Sequence, residues 1–330
     1  MSQSPFALFE IISMIVITAI LLADLLIIFK RPHIPSPKES ALWIAFYSFL
    51  ALVFAGLLAM FFDGNKASEF IAGWLTEYSL SIDNLFVFVI LMTRFNVPKK
   101  YQQEVLMVGI IMALVLRGIF ILIGAALIEQ FSGIFYLFGA FLLYTAYHQA
   151  FRNHKDDEDT ENKLITLLRK RIHVSDNFDG AKIRTVVNGK KVLTPMIVVF
   201  AAIALTDVMF AFDSIPAIFG ITTDPFIVFT ANVFALMGLR QLYFLLGGLL
   251  DKLEYLKYGI SFILAFIGFK LITHAMHENQ LPFINGGEHI EWAPDISSNV
   301  SLAVIVASIA VSAAISLIAA KRKAVKAPTA

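Results

Sequence analysis

Two short acidic segments carry most of the chemistry that this chain could perform. One reads Glu77-Tyr78-Ser79-Leu80-Ser81-Ile82-Asp83-Asn84 and the other Asp207-Val208-Met209-Phe210-Ala211-Phe212-Asp213-Ser214. Each sets two carboxylates six residues apart and follows the second with a small oxygen-bearing side chain, Asn84 or Ser214. Both lie inside long apolar runs, where an ionisable side chain is costly and marks function by default. Two arginines, Arg117 and Arg240, each preceded by leucine, occupy the apolar run after each acidic one. Carboxylates, an amide, a hydroxyl and main-chain carbonyls form an oxygen set suited to Mg2+, Ca2+ or Mn2+. The chain has no cysteine, which excludes thiolate metal sites, disulfides and thiol chemistry.

Four mid-span acids against two arginines leave a net of minus two, which one divalent cation would neutralise where uncompensated charge is expensive. Two arrangements satisfy that balance. Each arginine pairs one acid and leaves two for the metal, or the arginines close on the site only when it is empty. The plain alternative is an ion-pair network that only holds helices together. Met209, four residues before Asp213, reads as apolar filler rather than as a soft ligand. His148 and His274 read as interfacial residues, Lys270 as a side chain reaching for the interface, and Asp24 as able to do the same or to pair with Lys30.

Along a straight helix, six residues rise ~9 Å and turn about 120° away from the starting face. The two acids of each segment therefore meet in one cavity only if their helix is interrupted. Pro216 has no N–H to give the carbonyl of Phe212, which predicts a break beside Asp213. The same break is extended by analogy to the first segment.

The elements that must hold these residues follow from composition. Of 330 residues, 58% are apolar and 15% charged, with mean hydropathy +0.76; soluble domains run nearer ~45–50% and ~25%. The excess faces lipid. Nine stretches of about 20 apolar residues lie near 9–29, 41–62, 70–93, 105–128, 132–150, 195–220, 226–250, 257–275 and 299–320. The predicted fold is all-α, a polytopic membrane bundle. It divides into two N-terminal spans (1–69), a three-helix unit (70–150), a loop (151–194), a second three-helix unit (195–275), and an outer loop with the last span and basic tail (276–330). Because each unit has three spans, the second copy would enter from the opposite face, an inverted-topology repeat.

Of the 26 basic residues, 22 fall in alternate connections. By the positive-inside rule these stay in the cytoplasm, with the N-terminus outside and the C-terminus inside a cell membrane. The first span, with Glu10 at its start and no basic residue before it, reads as an uncleaved helix. Loop 151–194 holds an acidic run, Asp156 to Asp159, and a basic patch at Arg169-Lys170-Arg171. Asn188-Gly189 between β-prone runs predicts a small hairpin, which the plainest reading treats as part of a solvated linker. A net charge of +1 gives no sign of a nucleic-acid partner.

With these residues in view, the chain resembles the TerC family of bacterial and plastid membrane proteins, and within it the nine-span, Alx-like branch. The resemblance runs from Glu77 to His274. It rests on the two acidic segments, the second continued by Ile215-Pro216-Ala217, on Thr223-Asp224-Pro225-Phe226-Ile227, and on Gly238-Leu239-Arg240. It implies transport of a divalent metal, with manganese export as the leading assignment, tellurium resistance as the historical label, and the bacterial inner membrane as the location. The family's intramembrane acids correspond to Glu77, Asp83, Asp207 and Asp213, with Asn84 and Ser214 beside them. One position departs from the pattern: many relatives carry a further acid where this chain has Ala204.

The function expected from these readings is a secondary transporter that exports Mn2+ as substrate, in exchange for protons, with Arg117 and Arg240 balancing or gating the site. A Ca2+ exporter of the same mechanism, or a non-transporting scaffold acting through the 151–194 loop, are the alternatives. No phosphate-binding Gly-x-x-x-x-Gly-Lys-Ser/Thr loop occurs, and no nucleophile stands beside a base. An enzyme is therefore not expected, nor a permanent cofactor; the partners expected are the metal ion and the bilayer.

Overall fold

The computed structural model describes residues 5–30, 35–131, 133–151, 175, 178–187, 190–246, 255–279, 281–282, 284–290 and 292–326. Helices α1 (Pro5–Lys30), α2 (Pro37–Phe61), α3 (Gly64–Arg94), α4 (Lys99–Gln130) and α5 (Ile134–Phe151) lead to strands β1 (Arg184–Val187) and β2 (Lys190–Leu193). Then come α6 (Met196–Phe219), α7 (Pro225–Met237), α8 (Leu239–Leu246), α9 (Leu256–His277) and α10 (Ser298–Lys326). Eight of these segments, with α7 and α8 taken as one, are long and apolar enough to cross a membrane. The ninth expected span is α5. Its 18 residues reach ~27 Å, but Tyr147, His148 and Gln149 at its end make it less apolar than the rest.

Local sequence sets where the helices begin. Ser36 accepts from the Glu39 N–H while Glu39 returns a bond to the Ser36 N–H, ahead of Pro37 in the first turn, a reciprocal cap. Asp63 accepts from Lys66 N at 2.8 Å and Asp224 from Phe226 N at 3.0 Å. Within the spans, where lipid offers no hydrogen bond, Ser79, Thr230, Ser261 and Ser308 donate to carbonyls one turn back.

The expected hairpin is present. The strands pair antiparallel with Val187 opposite Lys190, leaving residues 188 and 189 for the turn, which lie outside the described residues. Thr194 ties its base, donating from N–H to the Ile183 carbonyl and from its hydroxyl to that of Lys182. The acidic and basic runs of the loop also fall outside the described residues.

Of the apolar 18-residue stretch within Pro225–Leu245, 89% is buried, and of that within Gly64–Thr93, 67%; for the first span the figure is 11% and for the last 17%. The most buried spans are α3, α6 and α7, with α4 packed against α6 and α7 and with α1 and α10 at the rim. Helix α3 packs on α7 and α6, α4 on α6 and α7, and α5 on α9. The α5–α9 approach depends on two glycines. A Cβ at Gly139 would lie 2.7 Å from the Gly268 carbonyl oxygen, and one at Gly268 would lie 2.9 Å from that of Gly139. Gly139→Val is expected to lower stability by about 1–3 kcal/mol, as overpacking does, read as an earlier unfolding transition in detergent.

Two expectations about helix geometry are corrected. Helix α6 runs unbroken through Pro216 to Phe219; the bond that the proline cannot give to the Phe212 carbonyl is lost without ending the helix. Helix α3 is also continuous. The interruption falls at Gly238, a turn between α7 and α8 whose N–H bonds Leu236. There the ring of Tyr78 lies 3.4 Å from where a Cβ would stand.

Candidate cation site at the bundle centre

Because α3 and α6 run in opposite directions and both stay helical, one acid of each segment meets its counterpart, rather than the two acids of one segment meeting each other. Glu77 and Asp207 converge on Arg117 of α4. The Arg117 guanidinium donates to Glu77 Oε2 at 2.5 Å and to Asn232 Oδ1 of α7 at 2.9 Å, and its Nε lies 3.7 Å from Asp207 Oδ1. All four side chains are buried, with Glu77 at 0% exposure and Arg117 at 2%. Asn232 is further held by a bond from its amide to the Val228 carbonyl.

The set is not fully satisfied. Glu77 Oε1, Asp207 Oδ2 and Arg117 Nε are buried and make no hydrogen bond in the protein. An unmatched buried carboxylate oxygen costs roughly 1–3 kcal/mol or more. Such a site favours whatever additional cation can reach those oxygens. Beside it is a cavity of about 10 Å3, room for one water-sized body, lined by Asn84, Arg117, Asp207, Leu239 and Arg240 among others.

The two arginines take different partners. Arg117 engages an acid from each segment, whereas Arg240 engages none of the four. Its Nη2 lies 3.5 Å from Oδ1 of Asp24 on α1. The side chain of Lys30, the partner expected for Asp24, lies outside the described residues, as do the side chains of Asp83 and Asp213. Their backbones place them by chain direction. Asp83 stands ~9 Å from Glu77 toward the hairpin end, and Asp213 the same distance from Asp207 toward the opposite end. Asn84 and Ser214 are buried, and the Ser214 hydroxyl has no hydrogen bond. Met209 is 53% exposed and turns outward, so it is neither ligand nor core filler. Among the described residues, no three His, Asp or Glu side chains group as a ready metal cage.

A second polar cluster caps the end of the bundle opposite the hairpin. Lys66 Nζ bonds Asp224 Oδ2 at 2.6 Å and lies 3.9 Å from Glu69, which accepts from Thr222 at 2.6 Å. Lys270 faces Glu69 and Asp295 rather than reaching outward alone. His148 is exposed and stacks on Tyr144, and His274 meets the edge of Phe135; neither touches the central acids.

Residues 62–324 match the model of the integral membrane protein TerC family. The chain belongs to the TerC family. It is an integral, multi-pass membrane protein. It is 40% identical over 317 residues to an uncharacterized membrane protein of Mycobacterium tuberculosis H37Rv, covering 95% of this chain and 80% of that one. It is 42% identical over 255 residues to an uncharacterized membrane protein of Myxococcus xanthus, covering 77% and 80%. It is also 40% identical over 267 residues to Alx of Escherichia coli K12, covering 78% and 83%; that protein is provisionally named a membrane-bound redox modulator. No solved structure matches. The TerC match begins after α2, so Asp24 lies outside it, and sequence reasoning undervalued that residue. Asn232 was missed as well. Its signal was an amide inside the apolar run Ala231-Asn232-Val233, which counting charges alone passes over.

Proposed function

We propose that this TerC protein is a secondary transporter that carries a divalent cation, most readily Mn2+, from the cytoplasm outward through the bundle centre. The observation that carries the reading is the pairing of Glu77 and Asp207 on one guanidinium, each with a buried oxygen left unmatched. Arg117 then stands in for the absent cargo: a tethered cation that keeps the carboxylates compensated in a medium where bare charge is expensive. An arriving divalent cation displaces it and gathers the free oxygens.

The hairpin end, which carries the basic connections, is taken as cytoplasmic. On that assignment Asp83 and Asn84 lie on the cytoplasmic side of the Glu77–Asp207 pair, and Asp213 and Ser214 on the outer side. The carboxylates form a ladder across the membrane. The two three-helix units are read as inverted copies that rock about this centre. Supporting this, α3 packs on α7 as α4 packs on α6, while the third helices meet each other at Gly139 and Gly268. Oxygen ligands serve Ca2+ as well as Mn2+, and the family resemblance favours Mn2+. Protons taken up by the same acids supply the exchange. The redox role in the name of the Escherichia coli relative cannot run through thiols here, since the chain has no cysteine.

In cells that depend on this protein for manganese tolerance, Asp83→Asn and Asp213→Asn are each expected to abolish protection and raise cellular Mn. Cellular Mn equal to that of the wild type in both variants would contradict the ladder.

A further inference from the structure

Arg117 and Arg240 follow leucines at matching places in the two halves, and both line the central cavity, yet they behave differently. Arg117 lies on the acids of the site. Arg240 is turned away to Asp24, and both side chains of that pair are nearly buried, at 8% and 12% exposure. Asp24 is an unusual residue for its helix. α1 is the span with the smallest buried share and faces lipid along most of its length, and a buried acid on such a helix needs a partner to justify its desolvation.

The pair is a single contact at 3.5 Å, longer than the 2.5 Å bond of Arg117 to Glu77, and Arg240 Nε makes no hydrogen bond. Tyr47 and Glu39 of α2 are the other groups that face Arg240. Arg240 also stands two residues beyond the Gly238 turn, at the start of the eight-residue α8, so its direction is not dictated by α7. If Asp24 lost its charge, Arg240 would be an uncompensated cation beside a cavity whose own unmatched acid oxygen is Asp207 Oδ2. It would move toward that oxygen and compete there with the cargo.

We propose that Asp24 is a positioning residue that holds Arg240 away from the central carboxylates and so sets the affinity of the site for its cation. This rests on the transport reading above. It places a determinant of affinity on a helix that lies outside the family-matched region, and it gives the two related arginines opposite roles, one occupying the site and one withheld from it.

Breaking the pair from its two sides separates this from a merely structural bond. D24N frees a competing cation; R240Q removes it. With purified protein in sealed vesicles and Mn2+ alone as substrate, D24N is expected to raise the half-saturating concentration by about tenfold or more, and R240Q by less than roughly threefold. The double variant D24N/R240Q, which leaves neither charge behind, is expected to return to within roughly threefold of the wild type, and it serves if D24N alone does not accumulate. Equal effects of the two single changes would overturn the proposal. So would a D24N that lowers only the maximal rate, or a double variant whose half-saturation stays about tenfold high, which would make Asp24 itself a ligand. Wild-type vesicles that take up no Mn2+ would overturn the transport reading and this inference together. Wild-type uptake with an unchanged D24N would overturn this inference alone.

Discussion

Arg117→Met is expected to destabilise the protein by roughly 3–5 kcal/mol, the cost of stripping one partner from a buried ion pair. The expectation follows from what the change leaves behind. Glu77 and Asp207 sit at 0% and 3% exposure, with Arg117 as the guanidinium between them. Without it, two buried carboxylates face each other, and Asn232 loses the donor to its oxygen. A comparison with a triple variant assigns the loss to charge rather than to shape. The variant carrying E77Q, R117M and D207N together has no buried charge at the centre and is expected to regain most of the stability, since replacing a whole buried ion network is often neutral or better. Equilibrium unfolding in mild detergent reads both. A triple variant as unstable as Arg117→Met alone would show that packing around the arginine, and not its charge, holds the centre together.

Glu77→Gln and Asp207→Asn are each expected to reduce cation flux by about 100-fold or more, because losing one buried charged partner is worth several kcal/mol and each 1.4 kcal/mol is tenfold. Each change keeps the shape and a hydrogen-bonding oxygen, so the loss reports charge at the site. The two are expected to be alike in size, since Glu77 and Asp207 contact Arg117 from corresponding places on α3 and α6. Flux assays in vesicles, with protein amounts matched, measure it. A Glu77→Gln protein that transports at the wild-type rate would place the pathway elsewhere.

Much of this organisation is legible in the sequence. The span limits follow from runs of apolar residues, and eight of the nine expected spans recur as long apolar helices within a few residues of their expected ends. The hairpin follows from Asn188-Gly189, because few other short signals fix both a turn and a register. The prominence of Glu77, Asp207 and Arg117 follows from the rarity of charge in apolar runs. How they pair does not, because pairing depends on which helices touch. An expected break in the helix suggested that Glu77 should meet Asp83. Uninterrupted helices instead brought Glu77 of α3 to Asp207 of α6 through a residue on α4. Pro216 misled for a related reason. A missing N–H weakens a helix at one bond without having to end it, and α6 continues three residues past Pro216, whereas the glycine at position 238 interrupts its span. Asp24 shows the same limit. Its position near the basic end of the first span suggested Lys30 or the interface, and only the packing of α1 beside α7, just before Arg240, brings the two together.

The central claim is that a divalent cation crosses the membrane by displacing Arg117 from Glu77 and Asp207. The most direct test is uptake of Mn2+ and of Ca2+ by sealed vesicles containing the purified protein, with and without a pH gradient, for the wild type and Glu77→Gln side by side. The expected result is Mn2+ uptake that exceeds Ca2+ uptake, grows with the pH gradient and disappears in Glu77→Gln. Wild-type vesicles that move neither metal under any gradient, or Glu77→Gln vesicles that match them, would contradict it.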